Sequence, residues 1–407
     1  MAGIAVLTAA YVLSQFYRSF LAVLTPALTT ELDASKADLS TASGAWFVMF
    51  ALMQFVVGIS LDRYGPRRTA AVLLGVCGGG GAFLFAAATQ PWMLIVAMAL
   101  IGIGCSPVLM ASLFIFAKTY SPARFAVLTS WLVGIGTMGN VVGAAPLASA
   151  ADAFGWREVM AGLGVLTVLV ALATLSFVRD PETGGEGTSP NSGLGGYLEL
   201  FRMRVLWPIF PLTALCYAPA AGIRGLWAGP YLADVFGAEA LLIGQATLFM
   251  ALAMVAGSFL YGPLDTIFGT RKWVSVAGNS VGVAALFWLA AFPATSFASA
   301  TIVLAVIGLF GGGFGLMMAH GRAFLPPHLT GRGVTLLNFF AVGGVGIMQF
   351  ATGVLFNETA VPGEPVGAYR WLFLFYGGML ATSVLIYLLA RDAPPEKAIR
   401  PKPRPAE

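Results

Sequence analysis

Two arginines, Arg18 and Arg224, lie inside long apolar runs of this 407-residue chain. A guanidinium offers five donors in a planar fork that matches carboxylate and phosphate oxygens. Placing one at mid-bilayer costs at least about 2.5–3.5 kcal/mol on insertion scales, so such a residue faces a cavity or a partner. The 18 Asp and Glu residues can all be placed in loops, tails or the ends of the apolar runs. No protein carboxylate is therefore at hand as counter-ion, and two unpaired charges are expensive to hold. An anionic ligand would complete the pair. The competing reading bonds each arginine to main-chain carbonyls where a helix is broken. Pro219 and Pro230 allow that around Arg224, while Pro26 is less well placed for Arg18.

The elements that must position these residues follow from composition. The chain is 58% hydrophobic and only 10% charged, where a soluble domain carries about 25% charged residues. Twelve runs are long and apolar enough to span a bilayer, which needs about 20 such residues. Their limits are 4–28, 41–61, 70–90, 93–117, 126–150, 158–177, 208–232, 241–262, 273–293, 298–319, 335–356 and 370–390. The first lacks a small-residue cleavage pattern and reads as a span, not a signal peptide. The expected fold is an all-α membrane protein with twelve transmembrane helices.

Orientation comes from the 22 Lys and Arg residues. With a cytoplasmic N-terminus, only Lys36, Arg157 and Arg370 fall outside, Arg18 and Arg224 lie within spans, and the other seventeen are cytoplasmic. That bias is the positive-inside pattern. It accounts for the net charge of +4 without a nucleic-acid partner. Cys77, Cys105 and Cys216 sit in apolar runs without paired spacing, and two histidines add little, so neither a disulfide framework nor a metal site is expected. No phosphate-cradling loop or catalytic motif is present, so the chain reads as neither an enzyme nor an ATP-driven pump.

The two halves of the chain repeat each other. The loop after the second run reads GISLDRYGPRR and that after the eighth reads GPLDTIFGTRK. Gly58 and Gly65 are seven apart, as are Gly262 and Gly269; basic pairs Arg67 and Arg68, and Arg271 and Lys272, follow at the same offsets. Asp62 and Asp265 stand between the glycines, displaced by one position. A second echo joins Arg124-x-x-x-Leu128 to Arg332-x-x-x-Leu336. The expected division is 1–177 and 207–391 as six-helix halves, a flexible cytoplasmic linker over 178–206 and a disordered tail over 392–407. Parallel repeats of this kind build transporters, with the site at the midplane between them.

Arg18 precedes Gly58 by 40 residues and Arg224 precedes Gly262 by 38, so the two arginines are near-equivalents on spans 1 and 7. They lie roughly 3 Å and 6 Å beyond the span centres at 1.5 Å per residue. Tyr11, Ser14, Gln15, Arg18 and Thr25 share one face of span 1, and Tyr217, Arg224 and Tyr231 one stripe of span 7. Asn140 and Asn338 occupy the related spans 5 and 11. The expected substrate ligands are Arg18, Arg224, Tyr11, Gln15, Tyr217, Asn140 and Asn338.

The loop GISLDRYGPRR resembles the signature loop of the major facilitator superfamily, Gly-x-x-x-Asp-Arg-x-Gly-x-Arg-Arg. The resemblance covers nearly the whole chain and implies that Asp62, Arg63, Arg67 and Arg68, with Asp265, Arg271 and Lys272, take part in a cytoplasmic gate. Arginines on spans 1 and 7 resemble the organic-phosphate and organic-anion branches. The nitrate branch carries its arginines on spans 2 and 8, where this chain has Gln54 and Gln245. The span-four arginine and span-five Gly-Pro of proton-coupled drug antiporters are absent, with Asn140 at the proline's place. Met250 and Met254 admit a soft-metal reading, since some copper importers of the superfamily use methionines, but packing is favoured over it. His320, at the cytoplasmic end of span 10, reads as an interfacial residue.

The resemblance and the arginines together imply alternating-access transport of a small organic anion. A transporter of a neutral or cationic compound and a transporter-like membrane sensor are the alternatives. A monomer in a lipid bilayer, the inner membrane of a bacterium, with a small anionic solute as its partner and no cofactor, is the expected setting.

Overall fold

The computed structural model describes residues 2–120, 128, 131–180, 195–326, 329–361 and 363–394. Arg124, residues 181–194 of the expected linker, residues 395–407 of the expected tail and the side chain of Asp62 lie outside the described residues. Ten described helices are long and apolar enough to cross a membrane, and two bent pairs bring the number to twelve.

Spans begin and break where side-chain chemistry dictates. Span 2 (Lys36–Tyr64) opens on Ser35, whose hydroxyl accepts from the Asp38 N–H at 3.1 Å while the Asp38 carboxylate accepts from the Ser35 N–H at 3.0 Å. This reciprocal cap starts the helix five residues before the apolar run does. Span 5 bends by 44° between Trp131–Val142 and Ala145–Phe154. Pro146 lies in the first turn of the second piece, and its ring excludes the carbonyl four residues back, that of Val142. Span 7 (Ile209–Phe236) stops its first segment at Leu215, four residues before Pro219. It then widens into a π-helical turn, Ile223–Trp227, immediately before Pro230. Span 1 is also bent, by 51°, between Ala2–Phe16 and Leu21–Leu32, which leaves Arg18 in the break.

Within each half the helices approach through glycines. A Cβ on Gly104 of span 4 would lie 2.2 Å from the Gly78 nitrogen of span 3, and one on Gly257 of span 8 would lie 1.9 Å from the Leu309 carbonyl of span 10. Met250 packs against Gly308 at the same span 8–span 10 contact, as does Met254. Such close approaches are how membrane helices gain packing without a hydrophobic drive.

The two halves meet mainly along the ends of the spans that lie away from the chain termini, here called the distal side. Span 2 runs along span 11 (Thr330–Thr359) in the most extensive helix contact among the described residues. Small residues line it: a Cβ on Gly346 would lie 2.6 Å from Val48 Cγ2, and one on Gly353 would lie 2.8 Å from Ser40 Cβ. The second segment of span 1 packs on span 7, and the second segment of span 5 packs on span 8 (Ala240–Phe268). Toward the terminal side the picture changes. The first segment of span 1 packs on spans 4, 5 and 6 of its own half, and the first segment of span 7 on spans 10, 11 and 12 of its own. Among the described residues the halves are thus joined chiefly on the distal side, and the Phe55–Phe339 contact, ring centroids 5.1 Å apart, carries the span 2–span 11 seam some way toward the termini.

Part of the expected linker is helical. Gly195–Arg202 is a short helix whose Leu200 is fully buried, and Tyr197 packs edge-on against Phe55 of span 2. Its apolar residues Tyr197, Leu198, Leu200 and Phe201 give it a face to bury, which the Gly/Ser/Pro stretch before it lacks.

The distal seam yields a first prediction. A Cβ on Gly229 of span 7 would lie 2.0 Å from the Ala22 carbonyl of span 1, across the halves, whereas one on Gly139 would lie 2.0 Å from the Val12 carbonyl within one half. Gly229→Ala should part the distal seam and raise thiol labelling of a cysteine placed there, with little change in melting temperature. Gly139→Ala should lower the melting temperature and leave distal labelling unchanged.

Candidate functional site

Arg18 and Arg224 are neighbours. The main chains beside them touch, since a Cβ on Gly225 would lie 2.9 Å from the Arg18 carbonyl. Each guanidinium lies in the other's electrostatic field, and Tyr11 and Tyr217 lie in the same cluster. Gln15 donates to the Tyr11 hydroxyl at 2.6 Å. Arg18 sits over two aromatic faces of span 2, 5.4 Å from the Trp46 ring and 5.0 Å from the Phe50 ring. Such contacts hold a cation in an apolar place. Arg224, almost fully buried, rides on the π-helical turn of span 7, a geometry that recurs at functional sites.

Asn140 completes the cluster from span 5. Its carboxamide oxygen accepts from Arg224 Nη2 at 2.7 Å and from the Ser19 hydroxyl at 3.5 Å. Gly136 and Gly139 bring span 5 against span 1 and so set Asn140 in place: a Cβ on either would lie 2.0 Å from span 1 atoms. Neither guanidinium bonds a main-chain carbonyl or an acid among the described residues. Three buried donors, Arg18 Nε, Arg224 Nε and Trp46 Nε1, have no partner there.

Six of the expected ligands, Tyr11, Gln15, Arg18, Asn140, Tyr217 and Arg224, are therefore brought together. Asn338 is not. It lies eleven residues before Gln349 on span 11, about 16 Å along the helix axis toward the terminal side, whereas Gln349 stands level with residues 222–227. Tyr231 also turns away, donating to the Pro293 carbonyl at 2.6 Å inside its own half, and Thr25 bonds back to the Leu21 carbonyl at 2.9 Å. Gln54 donates to the Phe50 and Ser106 carbonyls between spans 2 and 4, and Gln245 is exposed. Sequence reasoning missed Trp46 and Phe50, because an aromatic inside an apolar run carries no local mark of what lies above its ring.

The signature loops are tied down within their own halves. Arg63 is exposed and lies 5.3 Å over the Tyr64 ring, and Arg68 is exposed. The Arg67 N–H, at the start of span 3, donates to Asp180 at 2.8 Å. Gly65 carries a positive φ of 82° there, and a Cβ would lie 2.9 Å from the Asp180 carboxyl. In the second half the Lys272 N–H, at the start of span 9, donates to Asp392 at 3.0 Å, with the Thr270 hydroxyl at 2.5 Å. Asp265 pairs with Arg271 at 3.1 Å. Asp180 and Asp392 each follow an arginine, Arg179 and Arg391, after the sixth span of their half. This repeated Arg-Asp was a legible signal that the loop echoes overshadowed.

His320, expected at the membrane interface, is enclosed by protein. It is fully buried, its Nδ1 2.6 Å from the Tyr387 hydroxyl and its Nε2 3.0 Å from the Arg391 carbonyl. The end of span 12 folds over span 10 and covers it, a contact invisible in either segment alone. At the distal side Lys36 of span 2 forms an ion pair with Asp234 of span 7, joining the halves. The Tyr369 hydroxyl donates to the same carboxylate at 2.5 Å.

This arrangement agrees with what the chain resembles. The Major Facilitator Superfamily profile matches residues 7–223 and again residues 221–406. The chain belongs to the major facilitator superfamily. This superfamily member is 23% identical over 411 residues to the probable sulfoacetate transporter SauU of Cupriavidus necator, covering 95% of this chain and 94% of that one. Its fold matches a bacterial homologue of the human lysosomal transporter Spinster, in an inward-facing and occupied conformation, with a TM-score of 0.73 at 20% identity over 95% and 96% of the two chains. It also matches the nucleoside transporter NupG with a TM-score of 0.74 at 14% identity over 95% and 98%. The protein is an integral membrane transporter of a small solute, not an enzyme.

Asp392 supplies a prediction about this scaffold. Burial pushes its carboxyl up, but hydrogen bonds from Thr270 and from main-chain N–H groups outweigh that and hold it below the usual carboxylate value. A depressed folded-state value contributes stability that is complete above the unfolded value, about pH 4, and is lost as pH falls through the folded one. Asp392→Asn should cost about 1 kcal/mol at pH 7, the scale of a lost helix cap. Unfolding measured from pH 7 down to pH 3 should show that deficit shrinking.

Proposed function

We propose that the protein carries a small organic anion through a site between its halves, bound by Arg18 and Arg224. The observation that carries this reading is the pairing of two guanidinium groups, Arg224 buried and Arg18 half-buried, in one cluster with no acid among the described residues. Three partnerless donors and no spare carboxylate in a low-dielectric site call for a ligand rich in acceptors. The resemblance to a probable sulfoacetate transporter supports the same chemistry, since sulfoacetate is an organic anion. Tyr11, Gln15, Tyr217 and Asn140 set the orientation of the anion, and Asn338 lines the route on the terminal side.

Transport proceeds by alternating access. The gathering of cross-half contacts on the distal side supports a state whose site opens toward the termini. The excess of basic residues at that side supports a cytoplasmic assignment for it, in the inner membrane of a bacterium. In the opposite state the signature loops, with Asp62, Arg63, Arg67, Arg68, Asp265, Arg271 and Lys272, close that side. A C-terminal green fluorescent protein fusion should fluoresce and a C-terminal alkaline phosphatase fusion should be inactive. The reverse pattern overturns the orientation.

Arg224→Met separates substrate binding from a structural role. Exchanging buried charged groups for apolar side chains of similar volume is often neutral or stabilising, by up to about 1–4 kcal/mol, and Arg224 has only the Asn140 carboxamide oxygen as partner. The substrate-free variant should therefore melt at a higher temperature than the wild type. Its dissociation constant for sulfoacetate should rise about 10- to 100-fold, the scale of a lost charge-assisted hydrogen bond. A panel of carboxylates, sulfonates and matched neutral solutes, read by thermal shift, defines the class. Stabilisation by neutral solutes alone, or a fall in melting temperature with affinity intact, overturns the anion reading.

A further inference from the structure

Gln349 of span 11 is fully buried, and every hydrogen-bonding position of its carboxamide is used. Its amide nitrogen donates to the Gly222 carbonyl at 3.1 Å and to the Ser43 hydroxyl at 3.0 Å. Its carboxamide oxygen accepts from the Trp227 indole at 3.0 Å and from the Tyr376 hydroxyl at 3.4 Å. Gly222 and Trp227 bracket the π-helical turn that carries Arg224. Gln349 thus grips both ends of that turn. Ser43 belongs to span 2, in the other half, and Ser40 one turn earlier bonds the Gln349 main-chain carbonyl. The same side chain therefore touches the Arg224 turn and the distal seam.

We propose that Gln349 is a positioning residue that couples the Arg224 turn to the closure of the distal seam. The seam cannot open without removing Ser43 from the Gln349 amide. A buried donor left without its acceptor costs more than the bond itself was worth, so the carboxamide must reorient. Its other holds are on Gly222, Trp227 and Tyr376, and reorientation releases the turn that presents Arg224. By reciprocity, a ligand that fixes the turn favours the closed seam. A fully satisfied polar network of this kind rigidifies the core around it, so the intact carboxamide holds the turn and the seam together in one arrangement. Its functional consequence rests on Arg224 being a substrate ligand, but the coupling itself is measurable without substrate.

The experiment uses the full chain in nanodiscs, in a cysteine-free background with spin labels at Thr30 and Thr295, exposed positions on the distal ends of the two halves. Pulsed electron resonance gives the ratio of distal-open to distal-closed molecules, and hydrogen exchange follows peptides covering residues 223–227. Ser43→Ala removes only the bond between Ser43 and the Gln349 carboxamide, leaving that from Ser40 to the Gln349 main chain, and should raise the open ratio about tenfold, the scale of one net hydrogen bond. Exchange over 223–227 should rise with it. Ser43→Thr keeps the hydroxyl and should restore both readouts. Gln349→Met should raise both at least as far as Ser43→Ala. An unchanged distance distribution in Ser43→Ala and Gln349→Met overturns the proposal. So does a seam that opens while exchange over 223–227 stays at the wild-type level. Because no ligand is present, a failed anion reading would leave these outcomes intact, and a failed coupling would leave the sulfoacetate affinities intact.

Discussion

A guanidinium buried in an apolar bundle must be compensated by something, and the rest of the molecule is arranged around how Arg18 and Arg224 are. Aromatic faces of Trp46 and Phe50 hold one, and the Asn140 carboxamide holds part of the other. Neither arrangement neutralises the charge. Dipoles and ring quadrupoles recover only a fraction of the hydration lost. The residual cost is carried by the packed helices around the site, and it is the quantity an anion would relieve on arrival. Stability and function oppose each other here, as they commonly do at sites built for a ligand.

Irregular helices are what make this placement available. A regular α-helix would consume every main-chain group and present side chains at fixed intervals. Span 7 instead breaks before Pro219 and widens before Pro230, and span 1 breaks at Arg18 itself. Non-helical backbone at membrane depth is tolerated where protein buries it and supplies partners. Gln349 is such a partner for the Gly222 carbonyl. The site and the seam between the halves are therefore made of the same residues, which gives a physical route from occupancy to conformation.

Glycine serves a different purpose in the two kinds of interface. Inside each half it lets helices touch backbone to backbone, as at Gly104 and Gly257. Across the halves small residues face one another along spans 2 and 11, a surface smooth enough to slide or part. Ionic and polar contacts then decide where that surface is closed, with Lys36 and Asp234 at its distal end. Toward the termini Asp180 and Asp392 fasten the signature loops to the ends of their own halves.

Much of this was written in local patterns. Apolar runs near 20 residues dictate spans because lipid offers no hydrogen bonds, and the Gly-x-x-x-Asp-Arg-x-Gly-x-Arg-Arg loop and its echo marked both the repeat and the family. The equivalence of Arg18 and Arg224 followed from counting to those loops. Other features depend on partners distant in sequence, and no local pattern carries them. Nothing local to His320 shows that the end of span 12 covers it. Asn338 shared a span pair with Asn140 yet sits a long way down its helix from the cluster. Gln349, Ser43 and Trp227 are ordinary residues of apolar spans whose meaning comes from three helices meeting. The sequence by itself determined that the chain crosses the membrane as two related halves with two charges to compensate, because transfer energies and spacing are properties of the chain. Only the tertiary structure decided which groups compensate those charges and which side is sealed, because hydrogen bonds and seams form between segments hundreds of residues apart.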